Sequence, residues 1–258
     1  MTEYTDHHGP AGLRTRGTVL VVPGRGETRS AYARLGARLA ADAYRVRVVD
    51  APDLDAGDPD GSLARFGDRL AAAAEDTAAG EDGPVRPLVL VGADRGAVAL
   101  AALLGGGGEP SAVRPDAVVL AGIPGGGASA GSPRGWEEEL DVRTACPAHR
   151  GTLTRDTGTR RGALDEAVPQ ALLAAAYAGR TGVPALLLVG DADPLADREA
   201  LVRTAKALPR ARLSVVRGAR HDVLNDLQHR SVAAEVVTFL ETLRNALVPV
   251  VTVDASAW

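Results

Sequence analysis

The chain has 258 residues, 45% of them hydrophobic and 3% aromatic, with a formal net charge of −4. That length and apolar content suit one globular domain with a sizeable core. The charge balance excludes the basic footprint of a nucleic-acid binder or a polybasic membrane patch, and a single cysteine, Cys146, excludes a disulfide framework and a cysteine-rich metal site.

Residues 1–10 are polar and lack the apolar centre of a secretory leader. No run approaches the roughly 20 apolar residues of a membrane helix, so a cytoplasmic location is expected. Six short runs then follow along the chain, at residues 18–23, 44–50, 87–92, 117–121, 185–190 and 211–216. Each is rich in Val and Leu and closed by Gly, Pro or Asp, as buried parallel strands are. Helical patterns fall between them at 30–41, 62–79, 95–104, 197–208 and 231–247. Strand and helix alternating from end to end predict an α/β fold with a doubly wound, mostly parallel sheet.

The rhythm breaks between residues 124 and 182. This interval opens with a Gly/Ser-rich stretch at 125–135 and continues with helical pieces near 136–142 and 164–178. It reads as a small helical cap over the carboxyl ends of the strands, set on a core of residues 1–123 and 183–258. The glycines at 105–108 read as a helix end and loop. The apolar tail at 247–253 fits an edge strand, a docked tail or a homodimer contact equally well.

The third strand runs into Gly92-Ala93-Asp94-Arg95-Gly96 and then a helix. This is the pattern of a nucleophile elbow, G-x-S-x-G, with Asp94 in the serine place. The same five residues also describe an ordinary junction with a helix-capping Asp. Later landmarks favour the elbow, because in that arrangement nucleophile, acid and histidine follow one another along the chain. The acid candidate is Asp193, just after the strand at 185–190, with Asp191 as runner-up. The histidine candidate is His221, just after the strand at 211–216, followed by Asp222, which reads as surface.

From about Thr18 to Leu243, apart from the cap, the chain resembles the α/β-hydrolase superfamily. Its first turn, Val22-Pro23-Gly24-Arg25-Gly26-Glu27, is similar to that of the monoacylglycerol-lipase and lysophospholipase-like branch, with Pro23 where that branch has His. The resemblance implies an oxyanion hole from the backbone N–H groups of Arg25 and Arg95. It implies Asp193 orienting His221 as general base, and no cofactor or metal.

Aspartate changes the expected chemistry. A serine needs a base to remove its proton, whereas a carboxylate with a pKa of roughly 4 is already anionic at neutral pH. It can displace a leaving group at an sp3 carbon and form an alkyl–enzyme ester, the scheme of the epoxide-hydrolase and dehalogenase branches. Asp94-Arg95-Gly96 resembles the Asp-Arg-Gly of fluoroacetate-type dehalogenases, but their second clamping arginine is replaced by Val98. Trp136, His149 and Tyr177 are candidates for the substrate pocket, each with packing or surface as the alternative.

The expectation is therefore a hydrolase of a small molecule, cleaving an epoxide, C–halogen or ester bond through Asp94, His221 and Asp193. A homologue without catalysis that binds a ligand is the alternative. A dinucleotide-binding oxidoreductase is a weaker one, from Gly24-Arg25-Gly26-Glu27-Thr28-Arg29 and Asp50, because Arg29 stands where close packing needs a third glycine. His7, His8 and His229 lack metal-ligand spacing. The run 137–139 of glutamates reads as a solvated helix face, and Cys146 as incidental.

Overall fold

All six apolar runs become strands, and all but that at 211–216, an exposed to half-buried edge strand, are largely buried. The computed structural model describes residues 4–77, 83–106, 112–126 and 135–254. Its strands are β1 (Tyr4–His7), β2 (Thr18–Val22), β3 (Arg45–Val49), β4 (Leu88–Ala93), β5 (Ala117–Ala121), β6 (Ala185–Gly190) and β7 (Ala211–Val216). They form one sheet in the order β1-β3-β2-β4-β5-β6-β7. All neighbours run parallel except β1, which pairs antiparallel with β3. The central strands β2, β4, β5 and β6 are buried along their whole length, hence their unbroken apolar sequence.

Side chains alternate across each strand and so feed two cores. Leu20, Leu88 and Leu90 face one layer, and Val19, Val21, Val89 and Val91 the other. The helices are α1 (Ala33–Ala41), α2 (Pro59–Glu75), α3 (Arg95–Gly105), α4 (Trp136–Arg143), α5 (Pro147–Arg155), α6 (Gln170–Tyr177), α7 (Arg198–Ala207) and α8 (His229–Arg244). Phe66 and Leu70 of α2, residues of α3, and Leu201 of α7 fill the first core. Leu35 and Leu39 of α1 and Val232, Val236 and Leu240 of α8 fill the second.

Some boundaries differ from the sequence expectation. Helix α2 begins three residues before Ser62, because Asp58 accepts the Gly61 N–H as N-cap and Pro59 follows it in the first turn. Residues 78–79 of that expected helix lie outside the described residues, as do parts of the glycine-rich stretches at 105–108 and 125–135. Helix α8 stops at Arg244, and Ala246 and Leu247 take left-handed backbone. No strand follows it among the described residues: Val248, Val250, Val251 and Val253 are exposed. Strand β1 is short, polar and at the edge, so no apolar run announces it.

The interval between β5 and β6 carries α4, α5, a short 3-10 segment (Ala163–Asp165) and α6. Leu172, Leu173 and Ala176 of α6 pack into the same core as α3, whereas Leu140 of α4 and Leu153 of α5 join the opposite one.

Candidate active site

The turn between β4 and α3 holds Asp94 at φ 47°, ψ −119°, a region that a residue with a Cβ adopts only under strain. Small neighbours make this possible. A Cβ on Gly92 would lie 2.7 Å from Cα of Ala97, and one on Gly96 would lie 2.6 Å from the carbonyl oxygen of Pro23. The chain therefore turns sharply enough to raise the Asp94 side chain above the carboxyl end of β4.

Loops after β6 and β7 bring the other two members to it. His221 Nδ1 lies 3.0 Å from Asp193 Oδ2, and His221 Nε2 lies 3.2 Å from Asp94 Oδ1. Asp193 Oδ1 accepts the Leu195 N–H at 2.8 Å, which fixes that carboxylate. The runner-up acid, Asp191, instead accepts the Gly218 N–H. All three side chains, Asp94, His221 and Asp193, are buried.

Arg25 completes the row in a way its place in the sequence did not announce. Its backbone N–H donates to Asp94 Oδ2 at 2.8 Å. Its side chain folds over the same carboxylate: Nε donates to Oδ2 at 2.8 Å and Nη2 to Oδ1 at 2.8 Å. Nη1 donates to the carbonyls of Leu164 at 2.9 Å and Glu166 at 2.8 Å. The guanidinium is thus a bridge between the elbow and the segment preceding α6. Arg95 points its Nη2 to Glu166 Oε2 at 2.6 Å, so its side chain is also tied to that segment.

Charges alternate along the row Asp193, His221, Asp94, Arg25. Burial alone would raise the Asp94 pKa, but Arg25 and then His221 outweigh it and hold the carboxyl well below its usual range. Burial alone would lower that of His221. Asp193 first and Asp94 second reverse this and push it up to about 10. Both shifts favour the charged forms of Asp94 and His221 while the two stay side by side. The cavity bordered by Asp94, Tyr32, Ala121, His221 and Leu224 has a volume of about 10 Å³, about the least that admits one water.

Trp136, His149 and Tyr177, expected at the pocket, take other places. Trp136 donates Nε1–H to Thr154 Oγ1 at 3.1 Å, and the Arg161 guanidinium lies over its ring. The Tyr177 hydroxyl donates to the Pro124 carbonyl at 3.1 Å. None of the three borders the cavity at Asp94.

His149 lies in a second buried cluster. Its Nε2 is 3.0 Å from Asp222 Oδ2 and 3.7 Å from Glu27 Oε1. Asp222, expected at the surface, is buried here, because Arg143 and His149 partner it. Glu139 is likewise buried, not solvated: Arg143, one helical turn on, donates to its Oε1 from Nε at 3.0 Å and Nη2 at 2.9 Å. Glu137, by contrast, is exposed and pairs with Arg150 at 3.0 Å. Arg143 Nη2 also donates to the Arg25 carbonyl at 2.7 Å, and Glu27 Oε2 accepts the Gly24 N–H at 3.0 Å and the Tyr32 hydroxyl. This cluster therefore braces the turn that carries Arg25. Cys146 is buried, with Arg34 Nη1 at 3.4 Å from Sγ. Asp50, the ribose-binding candidate, pairs with Arg29 at 3.2 Å.

Comparison with known proteins agrees with this architecture. No curated protein matches the chain. Among solved structures, monoacylglycerol lipase of Paleococcus ferrophilus aligns with a TM-score of 0.70 at 16% identity, over 93% of this chain and 98% of the lipase. A soluble variant of monoglyceride lipase from Saccharomyces cerevisiae aligns at 0.69 with 15% identity, over 93% and 91% of the two chains. The enol-lactonase of Burkholderia xenovorans LB400 aligns at 0.59 with 17% identity, over 92% and 95%. At such identities the likeness is one of fold. No helix among the described residues is long and apolar enough to cross a membrane. The alpha/beta hydrolase family model matches residues 19–237, and the chain belongs to that family.

Proposed function

We propose that the protein is a small-molecule hydrolase in which Asp94 is the covalent nucleophile, His221 the general base and Asp193 the acid that orients it. The observation that carries this reading is the row Asp193–His221–Asp94 at 3.0 and 3.2 Å, on a strained elbow, with the Arg25 N–H already on Asp94 Oδ2. Asp94 Oδ1 attacks an sp3 carbon of the substrate, an epoxide or alkyl halide carbon, and the leaving group departs with its bonding pair. The product of this step is an ester on Asp94. Attack on a carboxylic ester would give an anhydride instead, a poorer intermediate.

Esterification removes the Asp94 charge. His221 then keeps Asp193 but loses the second carboxylate that holds its proton; it gives that proton to the alkoxide of the opened epoxide, or to solvent where a halide has left, and becomes able to act as a base. Water activated by His221 attacks the ester carbonyl carbon, and collapse breaks the acyl C–O bond, with the proton taken from water returned to the departing alcohol. The charge that develops on Oδ2 is met by the Arg25 N–H. For the first step the Arg25 guanidinium must leave Oδ1, which it covers at rest.

The bidentate Arg25–Asp94 pair and the 10 Å³ cavity favour a second reading, a family member that binds a ligand without turning it over. Trapping separates the two. His221→Gln blocks the second step, so incubation with a panel of epoxides, haloacids and activated esters yields a mass adduct on the peptide containing Asp94. No adduct from any electrophile, with no turnover by the unaltered protein, would favour ligand binding.

A further inference from the structure

The cluster beside the catalytic row has the make-up of a cation site. One donor atom from each of Glu27, His149 and Asp222 lies within 4.8 Å of the other two. The separations of 3.0 Å between His149 Nε2 and Asp222 Oδ2, and 3.7 Å between His149 Nε2 and Glu27 Oε1, bracket the roughly 3.4 Å edge of a tetrahedron with metal–ligand bonds of about 2.1 Å. The side chains are 2%, 1% and 4% exposed respectively, so the donors are out of water.

A second observation points the same way. Glu27 Oε1 has no hydrogen-bond partner among the described residues. The other Glu27 oxygen takes both the Gly24 N–H and the Tyr32 hydroxyl, which leaves Oε1 aimed at His149. A buried carboxylate oxygen without a donor is costly, and few are tolerated in folded proteins.

Charge favours a cation here. Three buried carboxylates, Glu27, Glu139 and Asp222, face one guanidinium, Arg143. Arg143 spends Nε and Nη2 on Glu139 and reaches Asp222 Oδ1 at 3.6 Å, which leaves Glu27 without a cation of its own. A divalent ion held between Glu27 and Asp222 would offset the cost of keeping these carboxylates out of water. Arg143 on Oδ1 leaves Oδ2 for the ion, the outer-shell support that orients a ligating carboxylate.

We propose that Glu27, His149 and Asp222 bind a divalent transition-metal ion, with Zn²⁺ suited to one imidazole and two carboxylates. The site is structural. It ties the Arg25 turn to α5 and to the loop that carries His221, and does not depend on whether Asp94 reacts.

The test uses protein free of any affinity tag, stripped with EDTA and titrated with ZnCl₂ by calorimetry. One equivalent binds. At a Zn²⁺ concentration about a hundredfold above Kd the melting temperature rises by about 5–10 °C. The rise is lost in His149→Gln and in Asp222→Asn and kept in His8→Gln, which samples adventitious binding at the terminal histidines. Absence of a bound equivalent of Zn²⁺, Mn²⁺ or Co²⁺ in the unaltered protein overturns the proposal, whatever the variants do. So does Zn²⁺ binding that persists in both folded ligand variants.

Discussion

At Asp94 two demands conflict. A nucleophilic carboxylate has to be free to attack, and a buried one has to be paired. The resting structure meets the second demand with Arg25 and His221 on either side. Arg25→Met keeps most of the side-chain volume and leaves the backbone N–H on Asp94 Oδ2, but removes the guanidinium from Oδ1. Breaking a buried pair from one side costs about 3–5 kcal/mol, to be read from urea unfolding. In the His221→Gln background, the same change accelerates adduct formation at Asp94 about tenfold or more, which corresponds to ~1.4 kcal/mol off the barrier. Slower adduct formation in a folded Arg25→Met protein would show instead that the guanidinium takes part in binding the substrate. That Asp94, Asp193 and His221 come together was readable, because each follows a strand end on the same edge of the sheet. The Arg25 side chain was not. Its backbone amide follows from the turn, but the direction of a long side chain depends on the Leu164 and Glu166 carbonyls, 139 and 141 residues away.

The elbow as an element depends on contact between strand, turn and helix. A Cβ on Gly96 would meet the Pro23 carbonyl at 2.6 Å and that of Val22 at 2.7 Å, both backbone atoms of β2 and the oxyanion turn. These cannot yield by a rotamer change, so Gly96→Ala destabilises by about 1–3 kcal/mol in urea unfolding. It also slows adduct formation at Asp94, because the turn carrying Arg25 is pushed away. Unchanged stability would mean that helix α3 is free to move outward. The core strands were legible for the same reason that they are rigid: burial on both faces leaves only apolar residues. Helix α4 was legible as a helix but not in its burial, and α5 (Pro147–Arg155) lies between the two helical pieces the sequence suggested and was not expected. Glu139 looks solvated beside Glu137 and Glu138, and only the folded chain brings Arg143 and the Gly162 N–H to it. Asp222 and His149 are likewise paired across 73 residues, a distance no local pattern reports.

At the scale of the molecule, the seven strands among the described residues, the helices on both faces and a match over residues 19–237 describe one family architecture. Within it Asp94 stands at the serine place of the elbow, and the fate of a water oxygen tests the proposed chemistry most directly. The measurement is a single turnover, with protein in excess over an electrophile identified by trapping, in H₂¹⁸O. If water attacks the carbonyl carbon of an ester on Asp94, the label enters the Asp94 carboxylate and the first product is unlabelled. If the product carries ¹⁸O and the peptide containing Asp94 does not, water attacks the substrate itself, and Asp94 is not the nucleophile.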